Sequence, residues 1–292
     1  MIVVLTDLNL WALGGIGLVA GVMGSMLGVG GGIIIVPLLT LVLRLPIHVA
    51  IGSSLVAIVA TSCTATYLYA KDRLANIRLA LLLGTTTTPG AVTGGLIAAI
   101  IATPVLNVLF GLVLAYIAYT MMRRGSLIAE DLASEEASIY PPKSSASSLS
   151  SSLAGSFYDR HLSQTVSYKV NCIREGLSAS FFSGILSSLL GIGGGIINVP
   201  VMHLVMKMPM KATIATSSFV IAITTAVGAL IYYYYGLLQP VVLAPLVIAV
   251  ILGARLGSEL TQRAASVLLR RIFGVILLIT AALMFLRAAR II

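Results

Sequence analysis

The stretch Gly21-Val-Met-Gly-Ser-Met-Leu-Gly-Val-Gly-Gly-Gly-Ile-Ile-Ile-Val-Pro37 decides how this chain folds, because it occurs twice. Its second copy reads Gly184-Ile-Leu-Ser-Ser-Leu-Leu-Gly-Ile-Gly-Gly-Gly-Ile-Ile-Asn-Val-Pro200. Apart from the pairs Gly24/Ser187 and Ile35/Asn198, every difference exchanges one apolar residue for another. A repeat of this length predicts two halves with related folds.

Three shorter blocks support the duplication. Residues 90–94 and 253–257 share the pattern Gly-Ala-x-x-Gly, and Phe110-Gly111 recurs as Phe273-Gly274. Residues 51–55 match residues 215–219 if the alignment slips by one position. Because nearly the same separation relates all four blocks, the pattern indicates an internal repeat rather than chance.

The composition predicts a membrane protein. Of the 292 residues 59% are hydrophobic and only 9% are charged, and the mean hydropathy is +1.08. A soluble domain carries about 25% charged residues, so this chain has too few to cover an apolar core in water. The net charge of +9 comes from basic residues that stand singly or in pairs between apolar runs, as in loops that anchor membrane helices. They form no stripe with interleaved aromatics, so we expect the lipid bilayer and not nucleic acid as a partner.

Apolar runs of about 20 residues are long enough to cross the hydrocarbon core as helices. The runs that start near 31 and 194 are short, which fits steep spans, half-helices or the arms of re-entrant hairpins, so the predicted count is eight to ten. Residues 1–9 lack the basic region of a cleaved signal peptide, so we expect the first run to stay as a span. The predicted fold is an all-α polytopic membrane protein. Its candidate segments lie at about 9–27, 31–43, 47–70, 79–101, 104–122, 171–190, 194–206, 212–235, 240–258 and 267–287.

The domain organisation follows from a change of composition in the middle of the chain. Residues 1–122 and 171–292 form the two predicted transmembrane repeats. Between them, residues 123–170 contain an acidic stretch from Glu130 to Glu136 and a serine-rich run from Ser144 to Ser152. This segment is too polar for lipid and too low in complexity for a folded domain. We interpret it as a cytoplasmic tether with a short helix near Glu130, and a regulatory role is the alternative.

The loop charges indicate how the two repeats are oriented. Loops with excess Lys and Arg stay on the cytoplasmic side. The loop after the third segment is basic and its counterpart at 236–240 is uncharged, whereas the loop at 102–104 is neutral and its counterpart is basic. Equivalent loops therefore lie on opposite sides, as inverted-topology repeats require, with the linker inside and both termini outside. The supporting basic residues are Lys71, Arg73, Arg78, Arg263, Arg270 and Arg271, and those that contradict the orientation are Arg44, Arg287 and Arg290.

The glycine-rich turns are the first candidate site. Glycine costs about 1 kcal/mol relative to alanine inside a helix, so three in a row predict a break. Each break creates a helix N-terminus, near Gly31 and near Gly194, whose free N–H groups and positive dipole end favour an anion without any charged side chain. Two such termini are expected to face each other near the membrane midplane. Alternatively, the glycines only permit close helix crossing. The candidate residues are Gly28, Gly30, Gly31, Gly32, Gly191, Gly193, Gly194 and Gly195.

Small hydroxyl residues form the second candidate site. They donate hydrogen bonds to an anion without a permanent charge that would trap it, although in membranes such hydroxyls often bond only their own helix or a neighbouring helix. Their duplication beside the glycine breaks favours a role in binding. The candidates are Ser53, Ser54, Thr216, Ser217 and Ser218, and Asn198 joins them as the polar residue at the end of the second repeat block.

No pattern in the sequence predicts an enzyme. It contains no Ser/His/Asp arrangement, no phosphate-binding P-loop and no HExxH motif, so we expect no catalytic residues and no cofactor. His48 and His203 lack a metal-ligand partner at useful spacing, so we expect no metal site.

At these residues the chain resembles the sulfite exporter TauE/SafE family of membrane proteins. The resemblance rests on the glycine turns that end in Val36-Pro37 and Val199-Pro200, on the hydroxyl segments at 52–55 and 216–219, and on the blocks at 90–94 and 253–257. It covers both halves but not the linker. It implies a secondary carrier in the cytoplasmic membrane of a prokaryote, with sulfite or an organosulfonate such as sulfoacetate as substrate.

Combined with the neutral candidate site, this resemblance leads to the hypothesis of an alternating-access carrier for a small anion, with a proton or a sodium ion as a possible coupling ion. Two alternatives remain open. One is an anion channel that uses the same site, and the other is a non-transporting membrane scaffold that acts through the linker. The sequence makes no prediction of oligomeric state.

Overall fold

The computed structural model describes residues 7–124, 153–159 and 164–263, and it folds them into nine helices and one β-hairpin. The predicted segments match these helices closely, and the largest difference is the longer C-terminal end of the last helix. The predicted segment at 267–287, the block Phe273-Gly274 and the acidic and serine-rich parts of the linker lie outside the described residues. The elements are α1 (Asp7–Leu27), α2 (Gly32–Leu41), α3 (Ile47–Lys71), α4 (Ile77–Ile100), α5 (Thr103–Arg124), β1 (Gly155–Asp159), β2 (Gln164–Tyr168), α6 (Ile173–Leu190), α7 (Gly195–Pro200, extended by a π-turn over Val201–Val205), α8 (Met210–Tyr234) and α9 (Pro240–Arg263).

The helices have the length and the surface of a membrane protein. Within the described ranges, four are long and apolar enough to cross a bilayer, at Leu10–Leu27, Ile47–Lys71, Met210–Tyr234 and Pro240–Leu260. Large apolar side chains are turned outward, among them Trp11 at 81% exposure and Ile100 at 83%. Such a surface is costly in water and favourable in lipid, so the predicted helical membrane fold is confirmed.

The duplication is visible in the backbone. The left-handed residues Arg44 (φ 52°) and Arg73 (φ 54°) of the first half correspond in sequence to Lys207 (φ 57°) and Gly236 (φ 67°) of the second. Prolines precede both α3 and α8, at φ −56° and ψ 139° in one case and φ −57° and ψ 141° in the other. The sequence repeat therefore corresponds to a repeat of local structure.

The two halves are interleaved rather than placed side by side. Helix α1 packs along α9, and its counterpart α6 packs along α4, the counterpart of α9. Both crossings depend on glycine: a Cβ atom on Gly21 would collide with the Val250 carbonyl, and one on Gly184 with the Thr87 carbonyl. Such close backbone approach is how helices associate in lipid, where apolar surface alone gives no driving force.

Helices α3 and α8 form the centre of the molecule and run antiparallel. Gly52 near the start of α3 lies against Tyr232 near the end of α8. Towards the opposite ends, Ala65 and Tyr69 of α3 cluster with Ile214 near the start of α8. Since α3 and α8 are counterparts in the repeat, equivalent central helices of the two halves point in opposite directions.

The end of the predicted linker contains a folded element that the sequence analysis did not anticipate. Strands β1 and β2 pair antiparallel, with Phe157 opposite Val166. Phe157 and Tyr168 are buried in a cluster with Leu79 of α4 and Met206 after α7, while the opposite face of the hairpin is exposed. Alternation of apolar and polar residues in 164–170 was the available signal. A two-stranded hairpin is marginal alone, so packing on these helices stabilises it.

Candidate functional site

Both glycine-rich segments form turns that only glycine adopts easily. We call residues 28–32 the first glycine turn and residues 191–195 the second. In the first, φ is +64° at Gly28, +87° at Gly30 and +86° at Gly31. The second repeats this conformation, with +67°, +91° and +72° at the equivalent glycines. A side chain at positive φ is strained, so three glycines in each turn are required by the backbone.

Each glycine turn ends at the start of a short helix, as predicted. Helix α2 starts at Gly32 after the N-cap Gly31, and α7 starts at Gly195 after the N-cap Gly194. Neither N-cap residue supplies a side-chain hydrogen bond to the first N–H groups. The first N–H groups of a helix have no acceptor within the helix. At both helix starts they can therefore donate hydrogen bonds to an acceptor from outside the helix.

The two turns contact each other, backbone against backbone. A Cβ atom on Gly32 would collide with the carbonyl oxygen of Gly191, and one on Gly195 would collide with that of Gly28. The absence of side chains therefore lets the halves meet at the centre of the molecule. In this conformation the contact leaves no space for an anion between these four residues.

Two hydrogen bonds cross between the halves at the turns. The Ser54 hydroxyl donates to the Gly191 carbonyl at 2.9 Å, and the Ser217 hydroxyl donates to the Gly28 carbonyl at 3.0 Å. We call them the crossing hydrogen bonds. Both serines are fully buried. Ser54 also lies 2.8 Å from the carbonyl of Ile51 in its own helix, so its single proton is shared.

The crossing hydrogen bonds correct the predicted alignment of the hydroxyl segments. Ser54 and Ser217 make equivalent hydrogen bonds, and they are as far apart in sequence as Gly28 and Gly191. The hydroxyl segments therefore align at the same offset as the glycine turns, without a one-residue slip between 51–55 and 215–219. The predicted slip is wrong because it matched residue types, whereas the backbone repeat fixes the register.

Two isoleucines cover the turns and were missed by sequence reasoning. A Cβ atom on Gly30 would lie 2.5 Å from Cγ2 of Ile58, and one on Gly195 would lie 2.9 Å from Cδ1 of Ile221. Ile58 and Ile221 are equivalent in the repeat and both are fully buried. The sequence signal was that both isoleucines occupy the same position of the repeat. Apolar residues are too common in this chain for that signal to be recognised.

Three other predicted site residues make no hydrogen bond to the glycine turns. Thr216 accepts a hydrogen bond from the backbone N–H of Asn76 at 3.0 Å, at the start of α4. The Ser218 hydroxyl donates to Ile214 in its own helix at 3.0 Å. Ser53 is fully buried and its hydroxyl has no partner among the described residues. The Ile214 carbonyl lies 3.3 Å from the position of a Cβ on Gly28, so Ser218 bonds beside the first turn, but neither of these two hydrogen bonds is made to a glycine of the turns.

Gly31 and Gly194 face their own halves. A Cβ atom on Gly31 would collide with the carbonyl of Ala20 in α1, and one on Gly194 would lie 2.7 Å from the hydroxyl of Ser183 in α6. These two glycines therefore pack each turn on the helix that precedes it, while Gly32 and Gly195 make the contact between halves.

The surroundings of the second turn are polar. Ser183 donates to the Gly194 carbonyl at 2.7 Å, and Asn198 in α7 is 3% exposed, with its Oδ1 3.5 Å from the Ser180 hydroxyl. The Ser187 hydroxyl is fully buried and has no partner among the described residues. The equivalent residues of the first half are Gly17, Ala20, Gly24 and Ile35, none of which has a polar side chain.

The centre of the molecule is electrically neutral. Within 7–124, 153–159 and 164–263, no Asp, Glu, Lys or Arg side chain whose exposure is described is buried, and no group of three His, Cys, Asp or Glu residues is placed to hold a metal ion. The polar groups near the turns are hydroxyls, one amide and backbone groups.

Comparisons with known proteins point to a family of membrane transporters. The model of a family described as sulfite exporter TauE/SafE matches residues 13–284. A protein of Bacillus subtilis (strain 168) named "Probable membrane transporter protein YunE" is 28% identical over 272 residues, which cover 90% of this chain and 93% of that protein. Methanocaldococcus jannaschii has a protein named "Probable membrane transporter protein MJ0441" that is 24% identical, over 89% of this chain and 91% of that protein. A "Probable membrane transporter protein" of Xylella fastidiosa (strain 9a5c) is 27% identical, over 91% of this chain and 90% of that protein. No solved structure matches the chain.

Proposed function

We infer that this chain, which belongs to the sulfite exporter TauE/SafE family and is an integral membrane transporter, carries a small anion by alternating access. The proposed substrate is sulfite or an organosulfonate such as sulfoacetate. The proposed location is the cytoplasmic membrane of a prokaryote. A proton or sodium gradient is the proposed energy source.

The observation that carries the proposal is the pair of crossing hydrogen bonds between two glycine turns in contact. Ser54 and Ser217 donate to carbonyls of the opposite half while the turns touch. When the halves separate, both hydroxyls lose these acceptors and the first N–H groups of α2 and α7 become accessible. An anion that enters then replaces the lost acceptors, because hydroxyls and backbone N–H groups donate well to anions.

The same contact favours a carrier over a channel. A carrier needs a conformation in which the centre is closed, whereas a conducting pore keeps a continuous path. Gly32 against Gly191 and Gly195 against Gly28 provide such a closed contact.

The proposed mechanism includes inverted repeats. The central helices α3 and α8 run antiparallel, and the charges of equivalent loops alternate between the halves. Two copies of opposite orientation around one central site allow the molecule to open to either side by the same rearrangement.

The test is counterflow in proteoliposomes. Labelled sulfite or sulfoacetate is added outside vesicles loaded with the same unlabelled anion, with and without proton or sodium gradients. A carrier shows uptake stimulated by the internal anion, whereas a channel or a scaffold does not.

Two substitutions test the site within the same assay. Gly32→Ala and Gly195→Ala each place a Cβ atom against a carbonyl of the opposite turn and against Ile58 or Ile221 of their own half, and neither residue has a positive φ, so the variants disturb the contact between halves without backbone strain at the substituted residue. We expect uptake to fall at least tenfold for both. Gly15→Ala in α1 is the matched control, because nothing lies within 4 Å of its Cβ position. Full transport by both variants would show that the turns are not the site.

A further inference from the structure

The duplicated glycine turns differ in one respect that their shared backbone does not explain. In the first half, Gly24 lies so close to the turn that a Cβ atom would collide with the Gly31 nitrogen. In the second half the equivalent residue is Ser187, whose Cβ lies 3.3 Å from the position of a Cβ on Gly194. Helix α6 therefore leaves room beside its turn for a side chain that α1 does not.

The side chain in that position, the Ser187 hydroxyl, has no hydrogen-bond partner among the described residues. It is fully buried. A buried polar group without a partner destabilises the fold, and glycine at the equivalent position of the first half shows that the architecture does not need a hydroxyl there. This hydroxyl is therefore available to a ligand.

Neighbouring groups define the chemistry of this ligand. Ser183 already donates to the Gly194 carbonyl, so Ser187 is the free hydroxyl donor next to that turn. Asn198 is buried on the adjacent helix, and none of the charged side chains whose exposure is described is buried. Hydroxyl and amide donors without a fixed charge match the oxygen atoms of a small oxyanion.

We propose that Ser187 determines the affinity for the substrate anion by donating to one of its oxygen atoms on the side of the second glycine turn. The anion then binds nearer α6 and α7 than α1 and α2, away from the axis that relates the halves. This inference rests on the proposed function and deepens it, because it assigns recognition to one half of a duplicated fold.

The test measures binding and transport of sulfite and sulfoacetate by Ser187→Ala and Ser188→Ala. Ser188 is the matched control: it is adjacent, fully buried and without a side-chain partner among the described residues, but it borders Gly228 of α8 instead of the second glycine turn. We expect Ser187→Ala to raise Kd and KM about tenfold, the loss typical of one hydrogen bond to a charged ligand, with the maximal rate within about twofold of wild type. Ser188→Ala should leave both constants unchanged.

A stability measurement separates recognition from structure. Removing an unsatisfied hydroxyl should keep or raise the melting temperature of the anion-free Ser187→Ala protein, while the stabilisation that added sulfite produces should fall. A lower melting temperature with unchanged Kd would show that Ser187 is structural, for example through a bound water, and would overturn the proposal. Equal Kd values for both variants and the wild type would do the same.

Different results would contradict the proposed function and the role of Ser187. A wild-type protein that binds sulfite or sulfoacetate but shows no counterflow contradicts the carrier, and the effect of Ser187→Ala on Kd still decides the role of Ser187. A wild-type protein that binds neither anion overturns this inference as well.

Discussion

The two glycine turns have the same backbone and different neighbours. Their positive φ angles agree within about 15°, and each turn receives a hydrogen bond from a serine of the other half. Beside the first turn lie Gly24 and Ala20, whereas beside the second lie Ser187 and Ser183. After duplication, positions that fix the backbone and the contact between halves stayed alike, and positions that only line the turn diverged. The shared features form the scaffold, and the differences are where substrate recognition is to be sought.

The largest expected effect tests the shared scaffold. Gly21→Val and Gly184→Val each force a branched side chain into a backbone contact, on Val250 in one half and on Thr87 in the other. Backbone atoms cannot move aside as side chains do, so we expect each variant to lose more than about 3 kcal/mol of stability and to yield little folded protein. Size-exclusion chromatography of the solubilised variants measures this.

Gly15→Val is the control for that comparison, because Gly15 lies on α1 and is exposed with open space at its Cβ position. A folded Gly184→Val protein beside an unfolded Gly21→Val protein would mean that the two crossings are not equivalent, contrary to the duplicated scaffold.

The next effect concerns a difference between the two halves. Among the described residues, a hairpin precedes the first helix of the second half and has no counterpart in the first half. Phe157→Ala removes a buried ring from the cluster with Leu79 and Met206. We expect a loss of about 3 kcal/mol of local stability, which corresponds to roughly a hundredfold faster hydrogen exchange of the amides in 155–168. Mass spectrometry of the protein in nanodiscs measures this exchange.

Ser156→Ala on the exposed face is the matched control and should leave exchange unchanged. Equal exchange in the Phe157→Ala and wild-type proteins would show that the hairpin does not depend on its contact with the helices.

The smallest effect tests whether the two crossing hydrogen bonds contribute equally to stability. Ser54→Ala and Ser217→Ala each remove one of them, so we expect each to lower stability by roughly 1 kcal/mol. Ser54→Ala should cost no more than Ser217→Ala, because the Ser54 proton is shared with Ile51. Thermal unfolding measures both, with Ser218→Ala, which bonds only its own helix, as reference. A loss confined to one serine would show that the two crossing hydrogen bonds are not equivalent.

Much of the fold could be predicted because lipid imposes simple rules. Apolar runs had to become helices, so the bounds of α3, from Ile47 to Lys71, agree with the sequence almost to the residue. The helix starts at Gly32 and Gly195 followed from the conformational freedom of glycine. These predictions depend on local sequence alone.

The remaining features depend on contacts between distant residues. Nothing near Thr216 in sequence shows that its partner is Asn76, and nothing near Phe157 shows that a helical surface stabilises its hairpin. The candidate hydroxyls therefore stay a prediction as a binding group, and only the structure shows that two of them, Ser54 and Ser217, donate hydrogen bonds to the turns.

The interleaving of the helices also has a consequence for the origin and biosynthesis of the chain. Helix α1 finds its main partner in α9, the last helix described, and α4 finds its partner in α6 across the linker. A nascent first half therefore keeps its glycine surface unpaired until the second half emerges, and unpaired surfaces of this kind are where misassembly starts. Reciprocal contacts of this kind are those of an isologous dimer, in which each surface pairs with the equivalent surface of its copy.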